Sequence, residues 1–170
     1  MKEVVRIFEE RHPGKYRFVL AAAPSHQNSY YEKIIGDSDI KIVHNDTYGV
    51  LKFSQAAIIS SGTASLEAAI IQTPQVVCYG MHPITYFIAK LVVKLESISL
   101  ASMILGKPIF KELLQERCTP ENIAQEVENL LYDIPYRDRM VEDYQKMNLL
   151  LGEKGSIERI AKDIEQCSQK

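Results

Sequence analysis

Short apolar runs alternate with amphipathic segments along the first half of the chain. Phe18–Ala23 is a continuous apolar run of strand length that ends at Pro24, and Ala57–Ser60 and Gln75–Tyr79 are similar runs. Strands without polar alternation are typical of parallel sheets that helices cover on both faces. Between these runs, segments such as 28–35 have the spacing of helices. The pattern therefore predicts alternating strands and helices.

This alternation predicts an α/β fold, a Rossmann-like doubly wound parallel sheet with right-handed connections. We expect the sheet in a domain over 1–132 and closing helices in a helical tail over 133–170. Ligands of such sheets bind at the carboxyl ends of the strands. The other predicted elements are helices near 4–8, 47–55, 62–72, 83–95, 135–151 and 156–166, a helix capped by Thr119, a strand at 40–43 and an extended piece at 97–100.

Composition and charge narrow the class of protein. With 170 residues, 46% of them apolar and 25% charged, the chain has the makeup of one packed domain. Its net charge of -2 is too small for unspecific binding to duplex nucleic acid, so we expect no nucleic-acid partner. Residues 1–110 carry 11 basic and 9 acidic side chains, whereas 111–170 carry 9 and 13. An anionic ligand is therefore expected in the first part.

Neither metal nor disulfide chemistry is indicated. The chain has three cysteines, Cys78, Cys118 and Cys167. They are odd in number, far apart and without a CxxC motif, which is typical of a reduced cytoplasmic protein. Asp37-Ser38-Asp39 spells a DxD, but it follows Gly36 and precedes a short strand, which favours a turn over a metal site. We expect no metal and no cofactor.

The turn after the third predicted strand carries the clearest chemistry. Ser61, Gly62 and Thr63 lead from a buried strand directly into a helix, where free backbone N–H groups and the helix dipole attract a phosphate. Glu67 lies four residues after Thr63, one helical turn away on the same face, where a carboxylate can bind a ribose diol. On spacing alone, an ordinary helix start with a first-turn acid explains these residues equally well. The GxGxxG and Walker motifs are absent, which favours a nucleotide sugar.

Several collinear segments resemble the C-terminal half of the lipid-A-disaccharide synthase family. These segments are Ser61–Ala69, Thr73–Tyr79, Ile98–Leu100 and Lys111–Glu116, within a resemblance from about Met1 to Asn129. The resemblance implies an inverting GT-B glycosyltransferase of two Rossmann domains. It transfers 2,3-diacylglucosamine from UDP to 2,3-diacylglucosamine 1-phosphate, and forms UDP and lipid A disaccharide 1-phosphate.

In that family the C-terminal half holds the UDP of UDP-2,3-diacylglucosamine. The resemblance therefore assigns Ser61, Gly62 and Thr63 to the diphosphate and Glu67 to the ribose. Further residues become candidates for the pocket: Ser65, His26, Tyr79, Met81 and Ser99. The acceptor lipid contacts mainly the N-terminal half, which also supplies the base, so no catalytic residue is assigned here.

The resemblance also implies that a strand and a Gly-Ser-Arg loop precede Met1 as the first, central strand of the domain. We therefore expect a sheet without its first strand, marginal stability and no activity of this chain alone. Gly80 stands where the family commonly has a basic residue, and Ala101-Ser102 where it often has Pro-Asn, so contacts there stay unassigned. Lys107 and Lys111 receive no role.

Location and two alternative functions complete the expectations. A cytoplasmic protein is expected, and 83–95 is either a core helix or a peripheral contact with the inner membrane through Lys90 and Lys94. One alternative function is another UDP-sugar GT-B transferase or an epimerase domain. The other is a non-catalytic interaction domain that uses its acidic helical tail.

Overall fold

A computed structural model describes residues 1–60, 62–80, 99–152 and 167. The helices are α1 (Lys2–Arg11), α2 (Asn28–Ile35), α3 (Thr47–Phe53), α4 (Gly62–Ile71), α5 (Leu100–Leu105), α6 (Pro120–Tyr132) and α7 (Ile134–Leu151). The strands are β1 (Phe18–Ala22), β2 (Ile40–His44), β3 (Ala57–Ile59), β4 (Gln75–Tyr79) and β5 (Glu112–Leu114), and a 3-10 turn follows at Gln115–Arg117. The predicted helices at 83–95 and 156–166 lie outside the described residues.

The predicted parallel α/β architecture is confirmed. β1 pairs with β2, β3 with β4 and β4 with β5, each in parallel. Ile59 lies opposite Val77, and Val77 lies opposite Glu112. Because the strands of each sheet run in the same direction, β3, β4 and β5 end at one common edge. The turn that leads from β3 into α4 leaves from that edge.

The strands form two sheets, β1–β2 and β3–β4–β5, and no ladder joins them in the part of the chain that the structure describes. Among the strands that the structure describes, β1 and β3 each keep an edge without a strand partner. Phe8 of α1 contacts Phe18 at the start of β1, with ring centroids 5.6 Å apart, and α1 also packs against α6. Helix α3 packs against both β1 and α4. The divided sheet agrees with the expectation of a sheet without its first strand.

The core lies where α1, α6 and α7 pack around β4 and β5. Val76 and Val77 of β4 are fully buried, as expected for a strand covered on both faces. α7 contributes three buried residues at helical spacing: Met140, Tyr144 and Met147. The first helix of the predicted tail therefore shares the core of the sheet.

The extended piece predicted at 97–100 is wrong at Leu100, which begins α5. Ser99 is the N-cap, and its Oγ accepts a hydrogen bond from the backbone N of Ser102 at 3.4 Å. The helix ends at Gly106 in the left-handed conformation, φ 71° and ψ 17°, which favours glycine. With 6 residues in α5 and 3 in β5, neither element is long enough to produce a periodic signal.

No helix within the described residues has both the length and the apolar character needed to cross a membrane.

Candidate functional site

The N-terminus of α4 opens at the carboxyl edge of β3–β4–β5. α4 begins at Gly62, three residues after β3 ends at Ile59, and it is 10 residues long. The first N–H groups of a helix have no partner inside the helix, and the helix dipole adds positive potential there. Thr63 is exposed beside these groups. The turn therefore presents backbone donors of the kind that bind anions.

Glu67 stands on the same helix, one turn beyond Thr63. Its side chain is half-buried, whereas Thr63 is exposed. Neither side chain makes a hydrogen bond or an ion pair with any residue that the structure describes. Helix geometry places the two side chains one turn apart, and their contact with a ligand stays a prediction.

Ser65 faces the interior instead of the turn. It is fully buried, and its hydroxyl donates to the carbonyl of Gly62 at 2.7 Å. Its own carbonyl accepts a hydrogen bond from Gln75 Nε2 at 2.9 Å, and the same nitrogen donates to the hydroxyl of Tyr144 at 3.2 Å. These buried bonds fix the first turn of α4 against β4 and α7.

The outer end of α4 is held by a second buried contact. Thr73, in the turn that follows α4, is 3% exposed, and its hydroxyl donates to the carbonyl of Leu51 in α3 at 2.8 Å. Both ends of α4 are thus anchored to neighbouring elements. A rigid helix keeps its N-terminal donors preorganised for an anion.

Tyr79 ends β4 beside the turn. Its hydroxyl is buried, and it is 3.5 Å from the position that a Cβ on Gly62 would occupy. Burial, with a smaller effect from the charge of Glu112, raises the pKa of Tyr79. The phenol therefore stays protonated at neutral pH and is a hydrogen-bond donor.

The remaining candidates lie in different surroundings. His26 is exposed in the loop after β1, where its Nδ1 is 2.8 Å from Ser25 Oγ and its ring stacks against Tyr30 at 4.3 Å. Ser99 is fully buried, and its hydroxyl donates to Ser102 Oγ at 2.9 Å inside the cap of α5. The assignments of Ser61 and Met81 fall on residues outside the described ranges.

The DxD segment lies away from the turn of α4. Asp37 and Asp39 are exposed and precede β2, at its amino end. Ser38 between them donates its hydroxyl to the carbonyl of Ile35 at 2.6 Å, which is a turn contact. No group of three potential metal-ligating side chains occurs among the residues that the structure describes.

Sequence reasoning missed a polar cluster between α1 and α6. His12 Nε2 and Arg11 contact the two carboxylate oxygens of Glu128, each at 2.9 Å. Tyr132 accepts from Lys15 at 3.0 Å and from Tyr16 at 2.5 Å, and these hydrogen bonds lower the pKa of Tyr132. The partners are more than 110 residues apart, so no local pattern indicates them. The cluster connects the end of α1 and the segment before β1 to α6, away from the carboxyl edge of β3–β4–β5.

Comparison with known proteins identifies the family. A family model described as lipid-A-disaccharide synthetase matches residues 4–164. The lipid-A-disaccharide synthase of Persephonella marina is 39% identical over 76% of this chain and 34% of its own length. The lipid-A-disaccharide synthase of Sulfurihydrogenibium sp. is 38% identical over 80% of this chain and 35% of its own length. The lipid-A-disaccharide synthase of Anaeromyxobacter dehalogenans is 31% identical over 96% of this chain and 43% of its own length.

The chain thus spans between about a third and two fifths of the length of these curated relatives. The matched segment contains all of the α4 turn, and the family match extends over most of the chain. By sequence, this chain belongs to the lipid-A-disaccharide synthetase family.

Proposed function

We propose that this chain is the UDP-binding part of a glycosyltransferase that forms the lipid A disaccharide. Its donor is UDP-2,3-diacylglucosamine, and its acceptor is 2,3-diacylglucosamine 1-phosphate. Ser61, Gly62 and Thr63 receive the diphosphate, and Glu67 receives the ribose hydroxyls. The observation that carries this proposal is the N-terminus of α4 at the carboxyl edge of the sheet, with the carboxylate of Glu67 one turn away and without a partner among the residues that the structure describes. Family membership makes UDP the expected nucleotide.

The chemistry of this half is stabilisation of the leaving group. As the acceptor hydroxyl attacks the anomeric carbon, the bond to the UDP oxygen breaks and negative charge accumulates on the diphosphate. Backbone donors and the dipole of α4 stabilise that charge without having to reorient. The base that removes the acceptor proton belongs to another domain, so this chain alone is expected to be inactive. Full synthase turnover by the purified chain would refute that assignment.

The divided sheet has a role in the same proposal. A further parallel strand, supplied by a segment outside this chain, would pair with the open edges of β1 and β3 and complete the sheet. We place the boundary of the nucleotide-sugar domain at residue 132 and assign 133–170 to C-terminal helices that pack on it or on the other half. Open strand edges promote association, so the chain alone is expected to aggregate readily.

The location of the enzyme is part of the proposal as well. We assign it to the cytoplasmic side, with a peripheral contact between 83–95 and the inner membrane, where the acyl chains of both substrates reside. Reversing the charges of Lys90 and Lys94 is then expected to weaken partitioning to anionic liposomes. Unchanged partitioning of the charge-reversed variant would contradict the contact.

A thermal-shift titration with UDP tests the central assignment. A ligand that binds only the folded state stabilises it by about 2.7 kcal/mol at a hundredfold excess over Kd. For a chain of this size, that corresponds to a rise in Tm of about 5–11 °C. We expect Glu67→Ala to remove hydrogen bonds to a charged group, which are worth about 1.5–3 kcal/mol, and so to raise the Kd for UDP by about 10- to 150-fold.

The control variant is Glu142→Ala, because Glu142 is exposed on α7 and makes no hydrogen bond or ion pair with any residue that the structure describes. It is expected to bind UDP like the wild type. No UDP response of the folded wild-type protein would instead favour the interaction-domain function. Parallel titrations with UDP-N-acetylglucosamine and UDP-glucose separate the alternatives that bind other UDP-sugars.

A further inference from the structure

The thiols of Cys78 and Cys118 are neighbours in the structure, although the two residues are far apart in the sequence. Burial raises the pKa of Cys78 to about 12, and the adjacent Cys118 adds to this effect through its charge and through a hydrogen bond between the two side chains. Cys118 also packs against the buried core that contains Cys78. Both thiols are free. Two free thiols in contact are the arrangement from which a disulfide forms.

The strand β4 and the start of α6 bring these two residues together. Side chains of a strand alternate between its two faces. Gln75 is hydrogen-bonded to Tyr144 of α7 on one face, so Cys78, three residues further on, lies on the other face. Helix α6 packs against β4 and begins at Pro120, two residues after Cys118. The packing of α6 on the sheet therefore carries Cys118 to β4.

The turn before α6 fixes the position of Cys118. The chain turns out of β5 at Gln115, whose φ of 48° is in the left-handed region, and the backbone N of Cys118 donates to the carbonyl of Gln115 at 2.9 Å. On the other side, the hydroxyl of Thr119 accepts from the backbone N of Asn122 at 3.2 Å. Asn122 Nδ2 donates to the carbonyl of Arg117 at 2.9 Å. The backbone is thus held on both sides of Cys118.

The two thiols differ in their access to solvent. Cys78 is 4% exposed, whereas Cys118 is only half-buried. A reagent dissolved in water therefore meets Cys118 first, and it reaches Cys78 only through Cys118. An accessible thiol next to a second thiol is the arrangement of an attacking and a resolving cysteine.

We propose that Cys78 and Cys118 are a redox-responsive pair that forms a reversible disulfide by exchange with a low-molecular-weight disulfide of the glutathione class. The Cys118 thiolate attacks one sulfur of glutathione disulfide, breaks its S–S bond and releases one glutathione, which leaves a mixed disulfide on Cys118. The Cys78 thiolate then attacks the Cys118 sulfur and releases the second glutathione. The protons of the two protein thiols end on the two released thiols. Two protein thiols are thereby oxidised, and one small disulfide is reduced.

The bond would connect β4 to the start of α6 and close a loop of about 40 residues. A cross-link of this kind restricts the unfolded chain and so favours the folded one. The oxidised chain is expected to melt about 4–16 °C above the reduced chain. Oxidation would thus stiffen the contact between the sheet and α6. This inference is independent of the proposed function, because it needs no nucleotide.

Thiol exchange on the Cys167→Ser chain tests the pair, because this variant removes the remaining, exposed thiol. The folded protein is incubated at pH 8 with excess glutathione disulfide, quenched with acid, alkylated and analysed by peptide mass mapping. We expect a peptide pair joined through Cys78 and Cys118, with the loss of two hydrogens. Dithiothreitol is expected to restore both free thiols and the lower Tm.

Two further variants in the Cys167→Ser background separate the roles of the two thiols. With Cys78→Ala, the mixed disulfide is expected to accumulate on Cys118, because no thiol resolves it. With Cys118→Ser, Cys78 is expected to stay unmodified until urea is added, because it is buried. Circular dichroism checks that each variant is folded, and the result on the Cys167→Ser chain decides the proposal if Cys78→Ala does not fold.

Three results would overturn the pair. The first is a folded Cys167→Ser chain that keeps glutathione on Cys118 without forming the internal bond. The second is a chain whose two thiols stay free under the same conditions. The third is a Cys78–Cys118 bond that forms only in urea, since the folded structure would then not be what brings the thiols together.

Discussion

Replacing Tyr136 by phenylalanine tests whether α7 and the sheet domain form one cooperative unit. The hydroxyl of Tyr136 donates to Glu126 Oε1 at 2.6 Å, and this bond joins α7 to α6. Glu126 is only 7% exposed, and its other oxygen accepts from Asn129 at 3.2 Å. Burial, and then the hydrogen bond to Glu126, raises the pKa of Tyr136. The phenol is therefore a donor throughout the neutral range.

The magnitude follows from the charge and burial of the acceptor. A hydrogen bond to a charged group contributes about 1.5–3 kcal/mol, because losing it leaves the carboxylate short of a donor. Phenylalanine keeps the ring, so no cavity adds to this cost. For a chain of this size, about 2–4 °C of Tm corresponds to each kcal/mol. Tyr136→Phe is thus expected to lower Tm by about 3–12 °C.

Urea unfolding at pH 7, followed by circular dichroism, measures the loss. A double-mutant cycle with Glu126→Gln isolates the pair, and Tyr48→Phe on the exposed surface of α3 is the control. A loss below about 0.5 kcal/mol without coupling in the cycle would refute the reasoning. Two separate transitions of the wild-type chain would show that α7 unfolds independently of the sheet.

Three smaller predictions concern other parts of the chain. Burial raises the pKa of Cys78 to about 12, so at pH 8 iodoacetamide is expected to label the exposed Cys167 and to reach Cys78 only in urea, as peptide mapping can check. Although burial raises the pKa of Asp143, hydrogen bonds with two lysines lower it overall, below its ordinary 3.8. Asp143→Asn is expected to cost about 0.5–1 kcal/mol at pH 7 in urea unfolding, and this difference should disappear as the pH falls through the lowered pKa, since only the ionised carboxylate is stabilised. Thr119 caps α6 through the backbone N of the third helical residue, and Thr119→Ala is expected to cost about 1 kcal/mol, measured in the same way; an unchanged midpoint would exclude the cap.

The elements with strong local signals were predictable from the sequence. Phe18–Ala23 and Gln75–Tyr79 were predicted as strands within a residue of their observed ends, because long apolar runs follow from burial on both faces. The start of α4 was predictable from its turn residues. The placement of Glu67 one turn beyond Thr63 follows from helix geometry alone.

Contacts between distant segments were not predictable in this way. The hydrogen bond between Gln75 and Tyr144 joins residues 69 positions apart, and nothing in the local pattern of either residue indicates the other. The same is true of Glu128 and His12, which are 116 positions apart. β5 was missed because its 3 residues become a strand only through pairing with β4.

The sequence by itself determined the alternation of strands and helices, the position of the α4 turn and the spacing of Thr63 and Glu67, since each depends on neighbours within a few residues. Only the tertiary structure decided that the hydroxyl of Tyr79 lies beside Gly62. That contact depends on the register between β3 and β4, and register is set by the packing of whole elements against a shared core.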